Sequence, residues 1–383
     1  MRSVRAQGSD AVKILLIDGS ADTSSKDCMD GYLAALKRAG HEVLVYAANG
    51  RLNVAGNYLD YLWRKSQRLG EDRPRPTAYD SLYWAGIWSL EMALRTDPDV
   101  IIVMAGMYFS KLNMQLLRKA SYPYSKMVLL MVDSPWDDNQ AVNVLSLYDT
   151  VFVNERASLP IYRQYNEQSY YLPSCYSPER HHPGIQVDDD VPSFDVVFVG
   201  SAFRERVELL SAVDWTGINL GLFGNWSGLG SRSKLRQYVH GAVVRDEDGK
   251  KVEVPGAISN DYAAQLYRRA KICLNLYRTR LSHPPVPVPS GMAQSLNPRA
   301  YELAAVGVFQ LSTDRAEALD LFGACLPTFK TAEELEREIR RYLAMPTTCQ
   351  SMAQQQMRLV QGHTFDARVA QMMFVLEAQT VAA

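Results

Sequence analysis

The stretch "SLNPRAYELAAVGVFQLS", Ser295 to Ser312, predicts a short helix that runs directly into a buried strand. Asn297 suits the N-cap, Pro298 suits the first helical turn, and Gly307 suits the position after the last turn. The apolar run "VGVFQLS" lacks alternation, which is typical of a strand covered on both faces. Such a helix starts at one end of a buried sheet, where its free N–H groups and dipole favour an anion. Arg299, in the first turn, would strengthen that anion site.

Two runs of alternating strand and helix patterns make up most of the chain. The first run opens with "VKILLID", a buried strand that ends at Asp18, and the second opens with "DVVFVGS" at Asp195. The spacings suit right-handed crossovers and parallel sheets. The sequence therefore predicts an α/β fold of two Rossmann-like domains that face each other across a cleft, with C-terminal helices crossing back to the first domain.

The domain boundaries follow from a non-periodic stretch, "SCYSPERHHPGIQVDDDVPSF", which is typical of an interdomain linker. We predict an N-terminal domain at 1–175, a linker at 176–193, a second domain at 194–360 and a returning C-terminal helix at 361–383. The "DDD" in the linker indicates solvated charge, because no buried strand precedes it. The adjacent His181 and His182 lack the spacing of a metal site.

Composition and charge restrict the function classes. Of 383 residues, 47% are hydrophobic and 22% charged, which is ordinary for a soluble protein with room for two domains. The formal net charge is -1, so no whole-chain field attracts nucleic acid or anionic lipid. No apolar stretch approaches the roughly 18 residues that span a bilayer, and the N-terminus lacks a signal-peptide core. We expect a cytoplasmic protein without stable membrane insertion, and the oligomeric state stays open.

Two cofactor classes are also disfavoured. Five widely spaced cysteines without a C-x-x-C pair argue against a zinc site and against a disulfide framework. The segment "GNWSGLGS" does not satisfy G-x-G-x-x-G, so nicotinamide binding has weak support.

A second anion site is predicted in the same domain as the first. Gly200 and Ser201 form a tight turn after "DVVFVG", and Arg204 lies in the first turn of the following helix. Together with Asn297 and Arg299, this arrangement suggests a diphosphate.

A carboxylate follows the second of these sites. Glu302 comes three residues after Arg299, on the same helix face, where it could accept hydrogen bonds from a ribose diol. The competing interpretation of the two residues is an ordinary surface ion pair.

The ordered motifs F-V-G-S…R, N-x-R-x-Y-E-L-x-A-x-G and "HTFDARV" (His363–Val369) resemble those of the CgeB-like glycosyltransferases, which have the two-domain GT-B fold. "LPSCYSPERHHP" resembles the interdomain stretch of that family, and "MVDSPW" resembles its D-x-P stretch. The match extends from about Lys126 onward, and the earlier part matches only as a fold pattern.

The resemblance implies a transferase that takes a sugar from a nucleotide-sugar donor, expected to be a UDP-sugar, held mainly by the second domain. It would place Arg299 on the diphosphate and Glu302 on the ribose, with Gln294 and Tyr301 also at the donor. Related retaining enzymes often carry a glutamate where this chain has Gln294, so the stereochemistry stays open. No metal and no cofactor are expected, because helix N-termini and arginine can neutralise the diphosphate.

The base-binding and catalytic residues are assigned from fold position. Asn225 and Trp226 follow a strand end, and the backbone near Ala257 and Ile258 could contact a nucleobase edge. Sugar transfer also needs a proton acceptor, or a donor phosphate that takes the proton itself. Asp133, after the strand "KMVLLMVD", is the first candidate base, and Asp18 is the second. Asp133 has an equally good structural interpretation as a turn cap.

The acceptor is left open among a glycan, a protein and a hydroxymethylated DNA base. Two first-domain segments place aromatic residues, Trp63 and Tyr83 among them, near basic ones that could meet phosphates: Arg64, Lys65, Arg68, Arg73 and Arg75. The favoured alternative is a pair of amphipathic helices with core aromatics and solvated cations. The proline-rich insert at 278–294 is predicted to border the donor site.

The sequence also fits a second function class, that of a binding protein without transferase activity. A protein of this shape could hold a nucleotide sugar or a glycan without transferring it.

Overall fold

The chain forms two compact α/β units. The computed structural model describes residues 11–18, 26–105, 110–245, 251–254, 256, 258–279 and 293–381. Unit 1 contains the described residues up to Pro173 and those from Phe365 onward, and unit 2 contains those from Ser174 to Thr364 apart from Ala293. The prediction for the proline-rich insert lies mostly outside the described residues.

Unit 1 is built on a parallel sheet of six strands in the order β2-β1-β3-β4-β5-β6. The strands are β1 (Lys13–Asp18), β2 (Glu42–Ala47), β3 (Val100–Met104), β4 (Lys126–Leu130), β5 (Thr150–Val153) and β6 (Ser169–Tyr171). The helices are α1 (Lys26–Arg38), α2 (Ala48–Arg68), α3 (Ala78–Thr96), α4 (Lys111–Ser121), α5 (Asp138–Ala141) and α6 (Leu159–Tyr165). Central strands are continuous apolar runs, such as the fully buried Val-Ile-Ile-Val-Met of β3, because helices cover both faces.

Unit 2 contains a parallel sheet of five strands in the order β13-β12-β11-β7-β8, and a separate antiparallel hairpin, β9 and β10. The strands are β7 (Phe194–Val199), β8 (Leu220–Phe223), β9 (Ala242–Arg245), β10 (Lys251–Val254), β11 (Ala270–Asn275), β12 (Gln310–Thr313) and β13 (Thr328–Phe329). The helices are α7 (Arg204–Ser211), α8 (Asn260–Arg269), α9 (Pro298–Val306), α10 (Ala316–Phe322), α11 (Ala332–Leu343) and α12 (Pro346–Leu359).

Both sheets have the same topology. In each, the first strand lies between the second and the third, so the chain leaves the first and third strands in opposite directions. This arrangement creates a topological switch point, which is where ligands bind in open α/β sheets.

Helix α9 and strand β12 confirm the prediction made from Ser295–Ser312. Asn297 caps the helix by accepting a hydrogen bond from the Ala300 N–H at 3.1 Å, and Pro298 occupies the first turn. Gly307 ends the helix in the left-handed region with φ 75°. A glycine adopts that conformation without the penalty that a Cβ carries.

The last helix, α13 (Phe365–Val381), packs on α1 within unit 1. The rings of Tyr32 and Phe365 meet edge to face at 5.1 Å, and Arg38 donates two hydrogen bonds of 2.8 Å to Asp366. A Cβ at Gly31 would lie 2.3 Å from the Phe365 ring, so the helices approach closely only because residue 31 is glycine.

A buried polar network supports the segment that follows β4. Asp138 is fully buried, and its carboxylate accepts hydrogen bonds from the hydroxyl groups of Ser158 and Tyr162. The Ser134 hydroxyl lies 3.2 Å from that of Tyr162 and extends the network to the residue after Asp133. Burial raises the pKa of Asp138, while the two hydroxyl donors oppose the increase.

We predict that Asp138→Ala lowers the free energy of unfolding by about 2–4 kcal/mol, because it leaves two buried hydroxyl groups without their acceptor. Asp133→Ala is the matched control. Asp133 is exposed, so its removal should change that free energy by no more than about 0.5 kcal/mol. Urea denaturation measures both, and equal losses would contradict the assignment of the network as structural.

Candidate functional site

The candidate site lies at the switch point of unit 2, beyond the carboxyl ends of β7 and β11. These strands pair in parallel, with Val197 opposite Cys273. Gly200 follows the end of β7, Asn275 ends β11, and α9 begins on the same side because it returns the chain to β12. In open α/β sheets a crevice forms at this position, here next to the first residues of α7 and α9.

A reciprocal amide pair fixes the start of α9 against the end of β11. The Nδ2 of Asn275 donates to Oδ1 of Asn297 at 3.1 Å, and the Nδ2 of Asn297 donates back to Oδ1 of Asn275 at 3.0 Å. Asn275 is 1% exposed and Asn297 is half-buried, so the pair is partly shielded from water. Both polar groups of the Asn297 side chain are thereby occupied, and its role here is to position the helix. Asn275 was not predicted, because an asparagine at a strand end carries no signal without its partner.

Arg299 extends from α9 to the adjacent strand. Its Nη1 donates a hydrogen bond to the carbonyl of Val199, the last residue of β7. Its Nε lies 3.7 Å from Oε2 of Glu302, and its guanidinium carbon lies 5.7 Å from the centre of the Tyr267 ring. Burial alone would lower the pKa of Arg299, but the neighbouring Tyr267 and Glu302 raise it above its ordinary value. Arg299 therefore carries its charge at the switch point.

Arg206 brings a second guanidinium group to this crevice. Its Nε and Nη2 donate to the Leu276 carbonyl at 3.0 and 2.7 Å, and its Nη1 donates to the Ser201 carbonyl at 3.1 Å. Burial lowers the pKa of Arg206 to about 9, and the nearby charges of Arg299 and Arg278 contribute to the decrease. Glu205 opposes this decrease, so the pKa of Arg206 reflects burial and the repulsion of Arg299 more than a local excess of charge.

Arg204, the predicted diphosphate ligand on α7, points elsewhere. It is exposed and pairs with Glu208 one turn further along the helix at 2.8 Å. Residues two apart in a helix point about 200° apart, so only one of Arg204 and Arg206 can face the sheet. The pattern "RER" does not decide which one it is, because helix phase depends on the residue at which the helix begins.

Close backbone packing brings the ends of β7 and β8 together. The Gly200 N–H donates to the Phe223 carbonyl at 2.8 Å, and the Ala202 N–H donates to the Asn225 carbonyl at 2.9 Å. Gly224 has φ +111°, and a Cβ there would lie 2.6 Å from the Gly200 oxygen. The turn at Gly200 and the exposed Ser201 therefore depend on a glycine in the neighbouring turn.

Glu302 lies beside Arg299 and near a buried histidine. The Glu302 side chain is 15% exposed, and His181 is 5% exposed. The Nδ1 of His181 has no hydrogen-bond partner among the described residues. Burial lowers the pKa of His181, and the positive charges of Arg180 and Arg299 lower it further. The negative charge of Glu302 acts in the opposite direction. His181 had been discounted as a metal ligand, and its place beside Glu302 could not be predicted from a segment without periodicity.

The predicted nucleobase contacts fall in two environments. Asn225 is exposed, and its Oδ1 accepts hydrogen bonds from the N–H and hydroxyl of Ser227. Trp226 is 4% exposed; its Nε1 donates to the Phe223 carbonyl at 3.1 Å and its ring packs in the core. Ile258 also packs on core residues, and Ala257 lies outside the described residues.

Of the last two predicted donor residues, Gln294 precedes α9 and Tyr301 lies within it. Gln294 accepts a hydrogen bond from the Glu317 N–H through its main-chain carbonyl at 3.0 Å. Tyr301 is fully buried, and its ring lies 5.3 Å from that of His363. Tyr301 thus packs the inner face of the helix whose outer residues form the crevice.

The two candidate bases lie at the carboxyl edge of the sheet in unit 1. Asp18 ends β1 beside the switch point of that sheet, opposite Met104 of β3. Asp133 is exposed, and its main-chain carbonyl accepts a hydrogen bond from the Trp136 N–H at 3.1 Å. Residues 19–25 and 106–109, which follow β1 and β3, lie outside the described residues.

Helices α2 and α3 differ from the interpretation favoured above. Tyr58 and Tyr61 of α2 are each 59% exposed, so the prediction that the aromatic residues of this pair belong to the core is wrong for them. The basic residues are exposed as predicted, and the Arg75 guanidinium lies 5.2 Å from the Trp63 ring.

Metal-binding clusters and membrane-spanning helices are both absent from the described part of the chain. It contains no group of three or more histidine, cysteine, aspartate or glutamate side chains that could hold a metal ion. Within the same residues, no helix has the length and apolarity needed to cross a membrane.

Comparison with known proteins supports the fold and a glycosyltransferase-like region. Residues 204–373, less than half of the chain, match a family model described as glycosyl transferase-like. No curated protein sequence matches significantly.

Solved structures match over nearly the whole chain. Sucrose-phosphate synthase from Thermosynechococcus elongatus is 13% identical with a TM-score of 0.62, covering 97% of this chain and 100% of its own. Trehalose 6-phosphate synthase from Burkholderia multivorans is 11% identical with a TM-score of 0.59, and the match covers 97% of this chain and 99% of that structure's chain. An E. coli structure, "Trehalose-6-phosphate from E. coli bound with UDP-2-fluoro glucose", is 11% identical with a TM-score of 0.59, covering 94% and 98%. The predicted GT-B fold with two parallel-sheet domains is confirmed.

We predict that His181 makes unit 2 less stable in mild acid. Its folded-state pKa lies below its unfolded value, so the unfolded chain binds the proton first and stability falls as pH decreases below about 6.5. His181→Leu should flatten the dependence of unfolding free energy on pH between about pH 7 and pH 5. His182→Leu is the matched control for the loss of a histidine. A His181→Leu profile that parallels the wild type would contradict the prediction.

Proposed function

We propose that this protein is a glycosyltransferase that moves a sugar from a nucleoside-diphosphate sugar to a hydroxyl acceptor. One observation carries the proposal: Arg206 and Arg299 bring two guanidinium groups to the switch point of unit 2, where burial and their mutual repulsion lower the pKa of Arg206. A bound diphosphate would place negative charge beside both guanidinium groups. The match to a glycosyl transferase-like family model supports the same class of reaction.

The donor would lie along the start of α9. Arg206 and Arg299 would bind the diphosphate, and the Glu302 carboxylate would accept hydrogen bonds from the ribose diol. We expect a uridine nucleotide, and a neighbouring structure bound with UDP-2-fluoro glucose is consistent with that choice. Membership of the CgeB-like subfamily is part of this proposal and rests on the motifs around Arg299 and His363.

The reaction breaks the bond between the anomeric carbon of the sugar and the β-phosphate oxygen, and forms a bond from that carbon to the acceptor oxygen. The acceptor hydroxyl loses its proton to a carboxylate or to the departing phosphate. Asp133 is the first candidate for that carboxylate, and Asp18 is the second. The two guanidinium groups stabilise the negative charge that develops on the diphosphate as it leaves. Because these residues provide the positive charge, we propose transfer without a metal ion or other cofactor.

We predict that Arg206→Gln raises the dissociation constant for UDP at least about tenfold, equivalent to about 1.4 kcal/mol, because it removes one of the two charges that face the diphosphate. Arg204→Gln should change it less than about threefold, since Arg204 is exposed and pairs with Glu208. Isothermal titration calorimetry measures both constants.

Arg206 also supports the Leu276 and Ser201 carbonyls, so a melting temperature is needed for each variant. Arg206→Lys keeps the positive charge but loses the planar set of N–H donors, so it should retain part of the affinity for UDP. If Arg204→Gln weakens binding while a folded Arg206→Gln does not, our assignment of the diphosphate is wrong.

Turnover is tested by release of free nucleoside diphosphate from UDP-, GDP- and dTDP-sugars, first in water and then with glycans, proteins and hydroxymethylated DNA as acceptors. Release that depends on Arg299 and on an acceptor supports the proposal. Tight donor binding with no release under any condition would favour a binding protein of the same fold.

A further inference from the structure

Helix α2 carries an apolar stripe that no other described residue covers. The α2 stripe consists of Val54, Tyr58, Tyr61 and Leu62 on the helix and Leu69 just after it, with exposures of 53%, 59%, 59%, 38% and 68%. Their spacing of four, three, one and seven residues puts all of them within about 100° of the helix circumference. A continuous apolar face of this kind is normally buried, so it indicates an interaction surface.

The side of the helix next to the stripe already has its contacts. Ala55 and Ser66 are 2% and 4% exposed, and α2 packs on α3. The fold of unit 1 therefore does not need the α2 stripe. Two more aromatic residues, Tyr79 and Trp84, are exposed at the start of α3, at 60% and 46%.

The charge around the stripe identifies its partner. Helix α2 carries four basic residues against one acidic residue, a net charge of +3 in a chain whose total is -1. Arg64 pairs with Asp60 at 2.6 Å, but Lys65 and Arg68 form no ion pair with any described residue. The helical period places both cations on or beside the stripe. The surface is thus apolar and aromatic with unpaired positive charge.

We propose that the α2 stripe binds the surface of an anionic lipid bilayer, with its apolar side chains in the interfacial region and Lys65 and Arg68 among the headgroups. Basic amphipathic helices with aromatic and leucine residues on one face bind membranes in this way. Tyrosine is also enriched at the membrane interface, where its ring and hydroxyl group meet apolar and polar surroundings.

Two other partners fit the surface less well. A symmetric contact with a second copy would oppose identical basic faces, which repel each other. Nucleic acid would use the cations and the tyrosine rings, but the aliphatic side chains of Val54, Leu62 and Leu69 would gain nothing from phosphates or bases. Acyl chains accommodate these residues directly.

Flotation with lipid vesicles tests the proposal on the full chain. We expect the protein to bind vesicles of phosphatidylcholine with about one third phosphatidylglycerol, to bind phosphatidylcholine alone at least about tenfold less, and to lose affinity as salt increases. Tyr58→Ser combined with Tyr61→Ser should lower binding to the anionic vesicles at least about tenfold, and Lys65→Glu combined with Arg68→Glu should do the same.

Matched controls separate the α2 stripe from general surface properties. Tyr165→Ser with Phe374→Ser removes two exposed aromatics elsewhere in unit 1, and Arg232→Glu with Lys234→Glu makes the same charge change in unit 2. Both should bind vesicles like the wild type, and melting curves verify that all variants fold.

The proposal is overturned if the wild type binds neither kind of vesicle or if the α2 variants bind as well as the controls. It is also overturned if the wild type is a dimer in solution that the α2 variants dissociate while vesicle binding is absent. That result would assign the stripe to a second copy of the chain. None of these outcomes depends on nucleotide binding or sugar transfer.

Discussion

The candidate site depends on the contact between the Arg299 guanidinium and the Val199 carbonyl. This hydrogen bond joins the first turn of α9 to the end of β7. It therefore crosses the switch point, where the connections that follow β7 and β11 run in opposite directions. A charged donor on a carbonyl contributes roughly 1.5–3 kcal/mol in proteins. The Asn275–Asn297 amide pair holds the same helix to β11. Together they fix α9 while leaving the positive charge of Arg299 in the crevice.

That geometry explains why the crevice suits a diphosphate better than a neutral ligand. Arg206 is held by carbonyl groups, which accept its hydrogen bonds but do not neutralise its charge. Glu205 offsets part of that charge, but burial and the nearby Arg299 still make the positive charge more costly than it would be in water. An anion with several oxygen atoms can satisfy both guanidinium groups at once. In the proposed reaction, the same residues would bind the diphosphate and stabilise it as it leaves.

The fold was predictable because its signals are local. Capping residues and a continuous apolar run were enough to identify α9 and β12, and the alternation of strands and helices was enough to predict two parallel sheets. The contacts of the site depend on helix phase and on partners far apart in sequence. Arg206 lies two residues from Arg204, and Asn275 is 22 residues from Asn297, so neither role follows from a local pattern. The exposure of Tyr58 was missed for a related reason. An amphipathic pattern shows that a helix has an apolar face, but it does not show whether another part of the fold covers that face.

The most direct test of the central claim is calorimetry of the wild-type protein with uridine, UMP and UDP at one ionic strength. Our account predicts that affinity increases with each phosphate, by at least about tenfold from UMP to UDP, because the second phosphate reaches the pair of guanidinium groups. The increase should diminish at high salt. Equal affinity for all three compounds, or binding of none of them and of no other nucleoside diphosphate, would contradict the claim that the switch point of unit 2 is a diphosphate site.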